Sequence, residues 1–396
     1  MPATAPESAA SVHADLAMHP QTHLQTRCIA GTPPVKRSRQ LDAVRGLAVL
    51  VVLMHNTFTS PPRLLQPVVN NGWMGVDLFF VLSGFLITGI LLDTKDSQGY
   101  FGNFYARRCL RIWPLYYSAL LFMFVLVPLI HRSAIPSVFS ARSSPWWAFP
   151  LFIQNFLVPV PTQATGLLGV TWSLAVEEQF YVAWPLVVRF CTTAQLRAAA
   201  LAVVGISPIL RFFLSLHHIN IYSNTFCRLD GLMAGALLAL AVRSRGFVPS
   251  RFVPRAWVTF GVSAAVALLL ESMHQRWIVF SFVALASVSF VYIAMFSRQR
   301  QFQAILTNRL LVYTGIISYG IYLLEKIPSD LATASHMENH SWLLFPITAA
   351  ATYAIASLSW VVLEKPFLRL KRYFKEPRRI LSTERMSPAA PLGENP

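Results

Sequence analysis

Apolar runs of membrane-crossing length recur along most of this 396-residue chain. A helix needs about 20 mostly apolar residues to cross a hydrocarbon core of about 30 Å. Such runs lie near residues 41–58, 73–92, 112–131, 172–190, 198–216, 228–243, 256–272, 277–296, 310–328 and 342–363. The pattern predicts an all-α polytopic membrane protein with about ten transmembrane helices. A further stretch over 144–161, SPWWAFPLFIQNFLVPVP, holds four prolines, Pro150, Pro159 and Pro161 among them, and two adjacent tryptophans. It reads as an interfacial or re-entrant segment, because proline interrupts a helix and tryptophan favours the membrane–water boundary.

Composition agrees with this pattern. The chain is 55% hydrophobic and only 13% charged, where a soluble domain carries about 25% charged residues. The net charge of +16 does not argue for nucleic acid, because the basic residues punctuate the apolar runs instead of forming one patch. With both termini cytosolic, 26 of the 33 Lys and Arg fall on the cytosolic side, as the positive-inside rule requires. A full crossing at 144–161 would reverse that balance downstream. The flanks, 1–38 and 373–396, lack apolar periodicity and read as disordered cytosolic tails around a membrane domain at 39–372. The first flank also lacks the apolar core of a cleaved signal peptide. The four cysteines (Cys28, Cys109, Cys191, Cys227) are scattered and read as isolated thiols, with no metal-ligand spacing and no metal expected. No inverted repeat of the kind found in secondary transporters is visible.

Chemistry enters through the ionisable residues that interrupt these runs, since such groups are costly at membrane depth and usually functional. The first run, LDAVRGLAVLVVLMHN, carries Arg45 at its mouth and His55 within it. Histidine can accept and return a proton near neutral pH. A rise of 1.5 Å per residue puts His55 about 15 Å beyond Arg45, near the middle of the hydrocarbon core. The second run places Asp77 near its start and Ser83-Gly84 near mid-depth. Asp77 needs a partner or water, as a site-organising group or half of an ion pair. Ser83 reads first as a small packing residue. Arg107, Arg108 and Arg111 then form a basic step framed by Tyr105, Trp113 and Tyr116. The step serves as a topological anchor or as a phosphate clamp, since arginine binds phosphate bidentately.

In the fourth run, Glu177 and Glu178 are consecutive and therefore about 100° apart on a helix. One can face a cavity while the other turns to a different partner. The sixth run opens with Arg228 and Asp230, and the ninth ends with Glu325 and Lys326. The latter two read as an interfacial pair or a snorkelling lysine.

The order of these segments resembles the acyltransferase-3 family of integral membrane acyltransferases over roughly residues 40–372. The carrying motifs are RGLA…H, GWMGVDLFFVLSGFLITGILL, FYARRCLRIWPLYY, WSLAVEEQFY, RLDGLMAGALLA, ISYGIYLL and LEKPFLR. The resemblance implies a cytosolic acyl-CoA donor, acetyl-CoA above all, with no bound cofactor. It also implies a glycan or lipid-linked glycan acceptor and a bacterial inner-membrane location. Carried over residue by residue, it makes His55 the signature histidine and Arg45 its paired basic residue. Arg107, Arg108 and Arg111 match the family's arginine-rich step, and Glu177 or Glu178 its glutamate.

Two positions depart from the pattern. The family places ten residues between the basic residue and the histidine, and here there are nine. A separation of ten positions lands about 80° off the same face, so either a bulge restores the alignment or Arg45 serves from the helix mouth without touching His55. Glu325 stands where the family often has histidine.

The implied mechanism uses His55 as general base on the acceptor hydroxyl, with the arginines on the donor. Glu177 and Glu178 join His55 as catalytic candidates, and Asp77, Ser83, Arg228 and Asp230 are the acceptor-side or site-organising residues. A covalent acyl-histidine relay is the other route. Two readings without chemistry compete: a transporter or flippase of an acylated lipid or glycan, and a membrane scaffold that has lost catalysis. Oligomeric state and acceptor identity are not legible.

Overall fold

The computed structural model describes residues 38–58, 61–126, 129, 145–157, 168–334 and 341–374. The two flanks expected as tails lie almost entirely outside the described residues, as does Cys28.

Among the described residues the regular structure is helical. Helix α1 (Arg39–Thr57) begins where the Ser38 hydroxyl accepts the Leu41 amide at 3.2 Å, meeting one of the four donors a helix start leaves free. A short α2 (Gln66–Asn70) leads to α3 (Met74–Thr94). Gly99, at φ 75°, takes the left-handed turn into α4 (Tyr100–Leu121), a conformation that glycine adopts without steric cost. Then come α5 (Thr171–Phe190), α6 (Thr193–Leu216), α7 (Thr225–Val242), α8 (Pro249–Ser272) and α9 (Arg276–Phe296). A reciprocal capping box between Thr192 and Gln195 starts α6. The chain continues through α10 (Arg309–Ile316), α11 (Ser318–Leu324), α12 (Lys326–Ala334), α13 (Ser341–Ser359) and α14 (Lys365–Arg369).

Among the described residues seven helices are long and apolar enough to cross a membrane: α3, α4 extended to Leu126, α6, α7, α8, α9 and the run Leu344–Tyr373. An eighth is added if α10 and the following Ser318–Ala332, bent by 60° at their junction, count as one broken span. The other two segments expected to cross are helical, as α1 and α5, but do not qualify as spans; each carries three charged residues that lower its apolarity. The 144–161 stretch supplies no crossing helix among its described residues. Its described part holds a turn at Trp146–Ala148 and a short helix Gln154–Leu157, with Trp146 and Trp147 exposed and Gln154 and Asn155 buried.

Two close helix pairs organise the bundle. In α3 against α7, a Cβ on Gly84 would collide with the Leu232 carbonyl, and one on Gly235 with the Val81 carbonyl. In α1 against α10, Gly46 and Gly315 meet backbone carbonyls of Leu311 and Asp42 in the same way. Small residues let helices pack backbone to backbone where lipid supplies no hydrophobic drive between them. Helices α6 and α8 are peripheral. They expose Leu201, Ile209 and Phe213, and Val258, Val262 and Leu269 respectively, which fits a surface against lipid tails.

These contacts predict opposite outcomes for two glycine substitutions. Gly84→Ala must push α3 off α7 and should lower stability by about 1–3 kcal/mol. Gly261→Ala meets open space in α8 and should be neutral or stabilising by about 0.5–1 kcal/mol. Unfolding of the purified protein in mixed micelles checks the contrast, and equal effects would refute it.

Candidate active site

The deepest charges are paired across helices. Asp77 of α3 and Arg228 of α7 meet at 2.8 Å, and both are almost fully buried. Asp230, two residues on, points elsewhere and binds Arg211 of α6 at 2.8 Å, with Arg211 fully buried. Arg211 also donates to the carbonyls of Cys227 and Trp277 and to the Ser281 hydroxyl. Arg228 is caged by Phe80, Trp172, Tyr222 and Phe280, with the Phe280 ring centre 3.9 Å from its guanidinium. Two ion pairs thus tie α3, α6, α7 and α9 together. The juxtaposition of Arg228 and Asp230 in sequence is not a contact in space. Arg211 is the residue sequence reasoning missed, although a lone charge inside GISPILRFFLSL was a sufficient signal.

A cavity of about 100 Å³ lies at the Arg45 end of α1. Its polar lining includes Arg45, Arg108, Arg111, Ser83, Glu177 and Tyr181. Glu177 is held from two sides. Ser83 Oγ donates to its Oε1 at 2.7 Å and Tyr181 OH to its Oε2 at 3.0 Å. Tyr181 follows Glu177 by one helical turn, so the pair was readable as one face of α5. Glu178 is buried and does not line this cavity. Ser83 therefore does more than pack. Arg108 lies near the rings of Phe104 and Tyr181, 5.6 and 5.7 Å from their centres. Arg107 does not join the cavity and donates instead to the Phe374 carbonyl at 2.9 Å. Arg45 pairs with Asp42 of its own helix at 3.5 Å.

The other end of α1 meets a larger cavity of about 870 Å³. His55 and Asn56 line it, beside an aromatic wall of Trp73, Trp172, Tyr222 and Phe280 and a polar rim that includes Glu271, Arg276, Lys326 and Asp330. His55 Nδ1 lies 2.8 Å from the carbonyl oxygen of Val69, in α2. A carbonyl can only accept, so Nδ1 carries the proton and Nε2 of the neutral ring keeps its lone pair. Gly72 leaves the room for this packing, since a Cβ there would strike the Val51 carbonyl and the His55 Cβ.

Between His55 and Arg45, α1 is uninterrupted. No bulge restores the nine-residue spacing: the two residues line different cavities, which share Val76 and Tyr322 as their common wall. Glu325 corrects the interfacial reading. It is fully buried and takes the Asn56 amide, while Lys326 Nζ donates to the Asn56 carbonyl. The bend between α10 and α11 turns this segment onto the end of α1.

Breaking the Asp77–Arg228 pair should show which charges are structural. Asp77→Ala leaves the caged guanidinium without its counter-charge and should cost about 3–5 kcal/mol, whereas Asp77→Leu with Arg228→Met should recover most of it. Denaturation of the single and double variants measures this, and a double variant no better than the single one would contradict it.

Comparison with known proteins follows the same segments. The family described as "Acyltransferase domain" matches residues 38–362. The chain is 27% identical over 372 residues to the peptidoglycan O-acetyltransferase OatA of Listeria monocytogenes, covering 85% of this chain and 57% of the relative. It is 29% identical to the putative peptidoglycan O-acetyltransferase YrhL of Bacillus subtilis, covering 86% of this chain and 56% of the relative. A putative O-acetyltransferase of Staphylococcus aureus is 26% identical over 355 residues, covering 83% and 56%. The chain thus spans somewhat more than half the length of these relatives. No solved structure matches it. With the match running from the start of α1 nearly to α14, the chain belongs to the acyltransferase-domain family of membrane proteins.

Proposed function

We propose that this protein is a multi-pass membrane O-acyltransferase that moves a short acyl group, acetyl in the first place, from cytosolic acyl-CoA to a hydroxyl of a glycan. On this reading the ten helical segments all cross the bilayer, both termini are cytosolic, and the site lies in a bacterial inner membrane. The charge asymmetry of the loops supports that orientation. It puts the arginine cavity on the cytosolic side and the His55 cavity on the opposite side. The printed names of the relatives, peptidoglycan O-acetyltransferases, support a glycan acceptor.

The observation that carries the proposal is the hydrogen bond from His55 to Val69. It orients the ring and reserves Nε2 as a base in a cavity large enough for a sugar. The acceptor oxygen attacks the thioester carbonyl carbon while Nε2 takes its proton. The C–S bond then breaks, and the imidazolium returns that proton to the leaving thiolate. Arg45, Arg108 and Arg111 hold the anionic donor. Glu177, fixed by Ser83 and Tyr181, positions the guanidinium groups around the donor arm. The arginine cavity has room for roughly three water-sized groups at ~30 Å³ each, which suits a short acyl chain. For the acyl group to reach His55, the wall of Val76 and Tyr322 must part.

The test is thioester consumption from labelled acetyl-CoA by the purified protein. His55→Ala should slow it by about 10²–10⁴-fold, and an unchanged rate would remove His55 from the reaction. The arginines give a second prediction. Arg108→Ala should raise the KM for acetyl-CoA by about tenfold, roughly 1.4 kcal/mol of donor binding, with little effect on the acceptor. Arg107→Ala, held at Phe374, should change it far less. Equal effects of the two substitutions would argue against the cavity as the donor site. A transporter would consume no thioester in any of these proteins.

A further inference from the structure

A second groove adjoins the His55 cavity. It lies between α8 and α9 on one side and α1 and α3 on the other, and holds about 300 Å³. Phe260, Ala264 and Ala267 of α8 line it beside Val283, Ala286 and Phe290 of α9, and Ser287 supplies the one hydroxyl among the described residues that line it.

Two helical stripes join the groove to the cavity. On α8, Phe260 and Ala264 line the groove, Leu268 lines both spaces, and Glu271 lines the cavity. On α9, Arg276 and Phe280 line the cavity, and Val283, Ser287 and Phe290 line the groove. Steps of three and four residues keep each set on one helix face. The two spaces therefore lie end to end along the same faces of α8 and α9 and meet at Leu268, a charged and aromatic head above an apolar floor.

We propose that this groove holds the hydrocarbon tail of a lipid-linked acceptor whose polar head occupies the His55 cavity. The proposal rests on reading that cavity as the acceptor site. An amphiphile matches the two spaces in that order. From Leu268 to Phe260 the groove follows α8 for about 12 Å, within the roughly 15 Å depth of one leaflet's hydrocarbon. Helix α8 packs chiefly on α9 and turns Val258, Val262 and Leu269 outward, so the groove lies at the rim of the bundle, where a lipid tail enters sideways. The groove shares no lining residue with the arginine cavity, which separates it from the donor's acyl arm. A tail already dissolved in lipid gains little from burial here. What the groove contributes is position: it sets the depth at which the head meets His55.

The test uses the full chain in nanodiscs with a dodecyl N-acetylglucosaminide that carries a diazirine at the end of its tail. Photolabelling should map to Phe260, Val283 or Phe290. Excess unlabelled dodecyl glycoside should compete, and dodecanol should not. Ala264→Phe, which fills the groove, should lower labelling by about tenfold, and Ala286→Leu provides an independent block should the first variant not fold. Label scattered over the lipid-facing helices, or undiminished in both variants, would overturn the proposal, because the groove then holds no defined tail. Competition by dodecanol as strong as by the glycoside would overturn it too, in favour of bulk lipid. If acetyl-CoA is not consumed with any acceptor while labelling stays specific, the acyltransferase reading fails and the amphiphile groove remains.

Discussion

Every charge that enters the apolar bundle has to be answered by the protein, because lipid cannot answer it, and this constraint sets the rest of the structure. Asp77 meets Arg228 and Asp230 meets Arg211, each at 2.8 Å and each across a helix boundary. A buried ion pair adds little net stability against an apolar replacement. The pairs join α3 to α7 and α6 to α7, and Arg211 reaches α9 through the Trp277 carbonyl and the Ser281 hydroxyl. The glycine contacts of α3 with α7 then hold those helices at backbone distance. This rigid half supports the aromatic wall of the His55 cavity, since Trp172, Tyr222 and Phe280 cage Arg228 and line the cavity as well.

The second half of the bundle is built around α1. This helix is continuous, and it carries one ionisable residue into each of two cavities. A separation of ten positions places the two side chains about 15 Å apart along the axis and about 80° apart around it. That geometry would defeat a direct Arg45–His55 pair. It suits a helix that serves two compartments. His55 is oriented by the Val69 carbonyl, and Arg45 sits with Arg108, Arg111 and the Glu177 cluster. The bent run α10 to α12 closes the arrangement. It brings Tyr322 to the wall between the cavities and Glu325 and Lys326 onto Asn56, the neighbour of His55. Irregular backbone at this depth is tolerated where it is covered by protein or lines a cavity.

Much of this was legible along the chain. Hydrophobic run length marks a helix because a crossing segment must satisfy its own backbone, and all ten expected segments are helical, although among the described residues seven alone, or eight with the bent run counted as one span, qualify on length and apolarity. The interruptions of those runs by Arg45, His55, Asp77, Glu177 and Arg228 marked the site region, because a charge inside an apolar helix has a cost that composition reveals. Partners were not legible. Nothing local distinguishes Arg107 from Arg108, yet one bonds Phe374 and the other lines the cavity. Nothing local shows that Arg228 and Asp230 bind different helices, or that Glu325 is buried instead of interfacial. Adjacent side chains leave a helix about 100° apart, so neighbours in sequence become strangers in space as soon as the helices pack.

The sequence by itself determined the kind of protein: an all-helical membrane bundle with a histidine and several charges at depth, in an order that matches the acyltransferase-domain family. Those features are local, since they follow from the apolarity, period and identity of residues within single segments. The tertiary structure alone decided that Arg45 and His55 line separate cavities, that Ser83 and Tyr181 hold Glu177, that Val69 sets the histidine tautomer, and that α8 and α9 set an apolar groove beside the His55 cavity at Leu268. Each of these depends on which faces of different helices meet, and close glycine contacts and buried ion pairs between separate helices hold that meeting in place.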